Sequence, residues 1–431
     1  MLLPHFLAAL GAALLGLALH PFTTYPLSLT VLAWLRPRPH RAAPLEAGCK
    51  VAICVCAYNE APVIAARIDN LLQLRATLPG LDILVYVDAA SDGTAAIVRS
   101  YGSAIRAYIA PMREGKSSGM NRLVAMTDAD LIVFSDANVT FLPDALQHLL
   151  APFADARVGC VCGHLIYTAS AAPGSTARTG SLYWRLEERI KELESRIGSV
   201  MGADGSIFAI RRRLHRPPPV DLIDDMFVSL SILCSGYRIV RADRAKAFEQ
   251  SISVSSEEFR RKIRIACQAV NVHRALWQSL RRLSPLTLYM YGSHKFVRWM
   301  TIYLLGSSIG CFMAALLCAG AYTAAASLVG TAVAAGAWAF AVPGGRLGVG
   351  ADIVAALTAT GLGVLRSLTG RRYQTWSSPG SSRPTLTLPS LARRAPASPA
   401  MRDRGWAHMR QIETIGDYAG RQDGPIGSKV L

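Results

Sequence analysis

Two long stretches of the chain carry no Lys, Arg, Asp or Glu: residues 1–35 and residues 299–345. About 20 consecutive apolar residues cross a bilayer as a helix, so the first stretch predicts one span and the second has room for two. Residues 347–365 remain largely apolar, but Asp352 and many small residues make that segment marginal as a further span. Between these stretches the pattern changes. Short apolar runs of strand length alternate with polar turns and with segments whose apolar residues recur at helical spacing.

Residues 50–57 (KVAICVCA) read as a first strand, which Tyr58-Asn59-Glu60 closes before a helix over residues 61–74. Residues 81–87 (LDILVYV) read as a second, followed by Asp88 and Asp92-Gly93-Thr94, and residues 131–134 (LIVF) as a third, followed by Asp136-Ala137-Asn138. Strand, turn and helix in repetition predict an α/β domain with parallel strands. Polar groups at the carboxyl ends of such strands line one crevice, so Asp88 and Asp136 are expected at the same opening. A carboxylate at 136 and an amide oxygen at 138 suit a hard cation such as Mg²⁺ or Mn²⁺, which shares oxygen ligands with substrate phosphates. The same residues also suit a turn or a helix cap.

Lys116, within residues 113–121 (REGKSSGMN), lacks the glycine spacing of a nucleotide-binding P-loop, but a lysine beside a small turn neutralises a diphosphate. Residues 181–197 predict an amphipathic helix whose many charges face water or lipid headgroups. A glycine-bracketed turn follows at Gly202-Ala203-Asp204-Gly205, and then Asp221, Asp224 and Asp225 precede another helix. Acids there cap a helix, and adjacent acids also raise one another's pKa, as a general base requires. A strand is predicted over residues 236–240. The cations Arg260, Arg261, Lys262 and Arg264 that come after it suit an anionic ligand or a membrane surface. Residues 285–298 mix aromatic and basic side chains as interfacial helices do, and the Pro, Ser and Arg-rich tail beyond Arg366 predicts disorder.

Composition narrows the class. The 431 residues are 51% hydrophobic with a formal net charge of +17. Residues 42–282 nevertheless carry a near balance of acids and bases, so most of the excess lies outside the central domain. That distribution weighs against nucleic-acid binding and for a membrane with anionic headgroups. Arg36, Arg38 and Arg41 follow the first apolar stretch and Lys295 and Arg298 precede the second. The positive-inside rule then places the domain between them in the cytoplasm and the N-terminus outside. The first stretch has no basic leader region and no small-residue cleavage site, which reads as an anchor and not a removed signal. Of the nine cysteines, Cys54/Cys56 and Cys160/Cys162 fall on single strand faces, as small buried hydrophobes in a reducing compartment.

The ordered set Tyr58-Asn59-Glu60, Asp88 with Asp92-Gly93-Thr94, Gly115-Lys116 with Asn121, Asp136-Ala137-Asn138, the turn at 202–205, Asp224-Asp225 and a basic helix before apolar spans resembles family 2 glycosyltransferases. Within them it is most similar to the membrane polysaccharide synthases that include cellulose, hyaluronan and poly-N-acetylglucosamine synthases, over about residues 45–300. The resemblance implies a GT-A fold, a Rossmann-like mixed sheet, flanked by transmembrane helices. Its expected divisions are an anchor (1–41), the GT-A domain (42–284), an interfacial helix (285–298), a transmembrane region (299–367) and the tail (368–431). It further implies an inverting, multi-pass inner-membrane enzyme that moves sugar from a nucleotide-diphospho-sugar, such as a UDP-sugar, to a polysaccharide or lipid-linked acceptor, with Mg²⁺ or Mn²⁺ as cofactor.

Carried over by position, Asp225 is the implied base. Tyr58, Glu60, Asp88, Lys116, Asp136 and Arg264 are implied on the donor side, Asp204 and Asp224 on the acceptor side, and Asp136 and Asn138 at the metal. Two positions depart from the pattern. Asn138 stands where a second aspartate is usual, which predicts modest metal affinity. Ile265 stands where processive synthases have a tryptophan, which leaves chain elongation and single-sugar transfer to a lipid carrier both open. A binding protein without turnover is the third reading, and the intact Asp88, Asp136 and Asp225 weigh against it.

Overall fold

Side-chain alternation along the first strand, β1 (Val51–Ala57), sets the two faces of the sheet. Val51, Ile53, Val55 and Ala57 pack on one side with Ile64, Ile68 and Leu71 of the helix Ile64–Thr77. Ala52, Cys54 and Cys56 pack on the other with Phe134, Phe208 and the helices Ser175–Ile197 and Asp224–Cys234. Because helices cover both faces, every residue of β1 is buried, which is why the run reads as continuously apolar. The paired cysteines fall on one face as expected, and all four belong to the same core.

The computed structural model describes residues 2–168, 175–250, 255–341 and 346–375. These lie in one compact unit, Met1–Arg383; the other unit, Pro384–Leu431, lies outside the described residues, as does most of the tail expected to be disordered. Further strands are β2 (Asp82–Val87), β3 (Arg106–Ile109), β4 (Leu131–Asp136), β5 (Val139–Phe141), β6 (Val158–Thr168), β7 (Ile207–Arg211) and β8 (Arg238–Gln250). They form one sheet in the order β3-β2-β1-β4-β7-β6-β8-β5. The first four in that order are mutually parallel, and β7 runs antiparallel to both β4 and β6. In register, Cys56 of β1 lies between Tyr86 of β2 and Asp136 of β4, so Asp88 and Asp136 emerge on either side of the carboxyl end of β1.

Three helices among the described residues are long and apolar enough to cross a membrane: Leu2–Phe22, Pro285–Cys318 and Gly350–Leu368. The segment containing Asp352 thus qualifies, and the run after residue 299 also forms the apolar helix Tyr322–Ala341. Residues 285–298 are continuous with the helix that follows them. Pro285–Tyr291 continues through a π-wound turn, Gly292–Phe296, into Val297–Cys318, and Ser308 Oγ there donates 2.8 Å to the carbonyl of Gly11 in the first helix.

Two expectations fail for physical reasons. Only part of the charge on Ser175–Ile197 faces outward: Arg185, Arg189 and Arg196 are exposed, but Glu187, Glu188, Lys191 and Glu194 are buried. Each is paired. Glu194 accepts from Tyr25 Oη at 2.6 Å and faces His294 Nδ1 at 2.7 Å, while Glu187 faces His294 Nε2 at 2.9 Å. Lys191 lies 3.1 Å from Glu188. The first residues of the tail, 369–375, are also fixed, because the Tyr373 carbonyl accepts from Gln268 Nε2 at 3.1 Å and Arg372 pairs with Asp221 at 3.4 Å.

Candidate active site

Three turns at the carboxyl edge of the sheet bring the chemistry together. Asp136 ends β4, Lys116 opens the helix Lys116–Ala125, and Asp224 and Asp225 open Asp224–Cys234. Lys116 Nζ lies 2.8 Å from Asp136 Oδ1 and 3.4 Å from Asp224 Oδ2. Burial works against its charge, but Asp136, Asp224 and Asp225 outweigh that and hold its pKa well above the usual lysine value. The ammonium is therefore the fixed positive charge of the site.

Asp225 is half-buried, and its Oδ1 accepts from the backbone N–H of Met226. Burial first, and then the neighbouring Asp224 charge, push its pKa up to about 7, against the opposing pull of Lys116. The turn at 202–205 is pinned to this helix: Ala203 N donates 3.0 Å to Ser229 Oγ, which donates 2.6 Å to the Asp225 carbonyl. A Cβ on Gly205 would stand 2.9 Å from Asp225 Oδ2 and 3.3 Å from Lys116 Nζ. Only glycine leaves the two groups room there. Asp204 in the same turn pairs with the buried Lys191.

Asp88 lies under the loop at 113–115. It is fully buried and accepts from Arg113 Nε at 3.0 Å, Glu114 N at 2.8 Å and Gly115 N at 3.2 Å. Its charge thus shapes the loop that delivers Lys116. The Arg113 guanidinium stacks 3.3 Å from the ring centre of Tyr58, and the Glu60 N–H donates 2.8 Å to Thr94 Oγ1, so the first two turns are tied to that loop. Gly115 has φ +92°, and a Cβ on it would strike the Gln374 carbonyl at 2.3 Å. Arg264 donates 3.1 Å to Gln268, whose amide holds the Tyr373 carbonyl; burial lowers the Arg264 pKa, and Arg261 beside it adds to that.

Asn138 does not turn into the site as a lone neutral ligand. Its Nδ2 donates 2.9 Å to Oε1 of Glu249, a buried residue of β8 that pairs across the ladder with Val139. Ser206 Oγ lies 3.1 Å from Asp136 Oδ2 and 3.3 Å from Glu249 Oε2. Burial, and next the Asp136 charge, raise the Glu249 pKa. The carboxylates of Asp136 and Glu249 are hard oxygen donors of the kind Mg²⁺ or Mn²⁺ takes, while among the described residues no group of three or more His, Cys, Asp or Glu gathers to hold a metal.

Sequence reading missed Glu249, Ser206 and residues 371–375. β8 was expected to end at Val240, because the small alternating Ala242, Ala245 and Ala247 give a faint strand signal although all three are buried. The period of two set by the buried Ala245 and Ala247 leads to Glu249, but an irregularity in the pairing with β6 puts it out of phase with Val240. The neighbours of 371–375 come from the helix Ser255–Leu280, from Asp221 and from Gly115, and no local pattern shows such contacts.

A profile of the family described as Glycosyl transferase family 2 matches residues 52–216. An uncharacterized glycosyltransferase of Escherichia coli strain K12, YaiP, is 26% identical over 247 residues, which are 54% of this chain and 60% of that protein. An N-acetylglucosaminyltransferase of Rhizobium leguminosarum bv. viciae is 23% identical over 204 residues, 44% of this chain and 48% of that protein. The chain thus spans between 48% and 60% of the length of these curated relatives. Among solved structures, the mannosyltransferase PcManGT from Pyrobaculum calidifontis, in complex with GDP-Man and Mn²⁺, is similar with a TM-score of 0.65 and 21% identity, covering 85% of this chain and 99% of that one. That likeness shows a shared GT-A fold.

Proposed function

We propose that this chain, whose residues 52–216 match the profile described as Glycosyl transferase family 2, is a membrane-anchored inverting glycosyltransferase that moves a sugar from a nucleotide-diphospho-sugar to a growing polysaccharide. The observation that carries the reading is Asp225: a carboxylate with its pKa pushed up to about 7, held beside the Lys116–Asp136 pair where the parallel strands end. A base poised near neutral pH accepts a proton in the transition state and is ionised enough to be ready for it. The similar structure with GDP-Man and Mn²⁺ supports a nucleotide-sugar donor, the three long apolar helices support a membrane location, and the basic Arg36, Arg38, Arg41, Lys295 and Arg298 beside the apolar stretches support a cytoplasmic domain.

In this reaction the acceptor hydroxyl oxygen attacks the anomeric carbon from one face while the bond to the diphosphate breaks on the other. Asp225 takes the hydroxyl proton, and the nucleoside diphosphate leaves with the bonding electrons. Lys116 is placed to meet the charge that grows on the departing diphosphate, because it already balances Asp136 and Asp224. Arg264 adds a second cation from the helix Ser255–Leu280, and Asp88 holds the 113–115 loop that presents Lys116. Asp204, anchored by Lys191, borders the acceptor side of Asp225, and Tyr58 and Glu60 brace the donor side. Asp136 and Glu249 would hold a divalent cation, which when bound would add electrostatic stabilisation of the leaving diphosphate.

Ile265, where a tryptophan would stack on an elongating chain, favours a second reading, the addition of one sugar to a lipid carrier. The test is a screen of UDP- and GDP-sugars for nucleotide release by detergent-solubilised protein, followed by the length of the product. Release with at least one donor is expected; no release with any donor and a lipid-linked acceptor overturns the reading.

A further inference from the structure

Two carboxylates, Asp136 and Glu249, converge on a single hydroxyl. Ser206 Oγ is 3.1 Å from Asp136 Oδ2 and 3.3 Å from Glu249 Oε2, and it has one proton to give. A single hydroxyl thus brings the two acids to one spot. Asp136 is relieved on its other oxygen by Lys116. Glu249 has the neutral Asn138 amide at Oε1, with Arg261 of the helix Ser255–Leu280 acting on it through space. Such a pair is stabilised by a cation placed between its members.

Resting on the nucleotide-sugar reading above, we infer that Glu249 is the second carboxylate of the metal site, and that it replaces the acid missing at Asn138. The exchange is chemically consistent. An acid at 138 would stand against Glu249 at the position where the Asn138 amide now donates 2.9 Å to it. An amide removes that repulsion and fixes the Glu249 rotamer. The backbone makes the exchange available, since Glu249 pairs with Val139, the residue next to Asn138, across the β5–β8 ladder. Ser206, whose carbonyl accepts 2.8 Å from Ser135 Oγ beside Asp136, holds the two carboxylates at one spacing. The donor set is then two carboxylates, from β4 and β8, with the Asn138 amide positioning the second.

The experiment is Mn²⁺ binding to the full chain in detergent, followed by the paramagnetic resonance signal of free Mn²⁺, alone and with UDP or GDP added. Glu249→Gln keeps the size and hydrogen bonds of the residue, and it is expected to weaken Mn²⁺ binding by about tenfold or more, at least the loss seen when an outer-shell partner is removed. The double variant Asn138→Asp/Glu249→Gln returns the acid to position 138 and is expected to recover most of that loss. Mn²⁺ binding by Glu249→Gln equal to that of the parent, with Asp136→Asn weakened, overturns the inference and leaves the proposed transfer reaction standing. A parent that binds no Mn²⁺ with either nucleotide overturns the metal site itself. Should Glu249→Gln lose its thermal unfolding transition, the double variant decides: a folded double variant without Mn²⁺ affinity also overturns the inference.

Discussion

Lys116 and Asp136 face each other at 2.8 Å across the end of β4, and this pair acts on two further carboxylates, Lys116 on Asp225 and Asp136 on Glu249. Lys116 holds down the pKa of Asp225 while burial and Asp224 push it up, so one cation sets both the charge that meets a diphosphate and the readiness of the base.

Removing that cation gives the first prediction. Lys116→Met leaves Asp136, Asp224 and Asp225 together without compensation, so the Asp225 pKa rises further. In the parent, activity should increase as pH passes about 7, where Asp225 is expected to lose its proton. The variant should show this limb at higher pH together with a lower kcat/KM. A pH–rate profile measures it, and an unmoved limb contradicts the assignment of that limb to Asp225.

The turn at Gly205 gives the second. In Gly205→Ala the new methyl meets Asp225 Oδ2 at 2.9 Å, and one of the two must shift. Displacements of this size cost about 10–10²-fold in rate where a catalytic group is misplaced. The loss should fall on kcat with the unfolding midpoint little changed. A variant with unaltered kcat would show that the Asp225 position is not restrictive.

A third prediction concerns the metal. Asp136→Ala removes a carboxylate from the donor set and leaves Lys116 with Asp224 as its remaining partner within 4 Å. Nucleotide release should fall steeply, and chelator should have the same effect on the parent. Full nucleotide release in the presence of excess chelator contradicts a metal role.

A fourth concerns stability and lies away from the chemistry. Glu194 is fully buried, accepts from Tyr25 Oη and the Met201 N–H, and faces His294. Glu194→Ala strands these groups, and breaking one side of a buried charged pair costs about 3–5 kcal/mol. Chemical unfolding in detergent measures it, and a cost below about 1 kcal/mol contradicts the account of this buried network.

The strands β1, β2 and β4 were legible because each is a short apolar run ended by polar residues, and their register brings Asp88 and Asp136 to either side of one strand end. Lys116, Asp224 and Asp225 were legible as turn and cap chemistry, and they do meet. The buried charges of Ser175–Ile197 were not, because an amphipathic pattern looks the same whether its polar face meets water or partners from other elements. Glu249 was hidden by the small alanines before it, and the contact of Gln374 with Gly115 joins residues far apart in sequence.

The central claim is that Asp225 removes the proton while Asp88 serves donor binding. Donor affinity and sugar-transfer rate, measured at one pH for Asp225→Asn, Asp88→Ala and Asp224→Asn, test it most directly. Asp225→Asn should keep donor affinity and lose about 10²–10⁴ in rate, as expected when a positioned base is removed. Asp88→Ala should lose donor affinity first, through the freed 113–115 loop. Transfer by Asp225→Asn at near the parent rate, with Asp224→Asn inactive, would contradict the account and move the base to the neighbouring carboxylate.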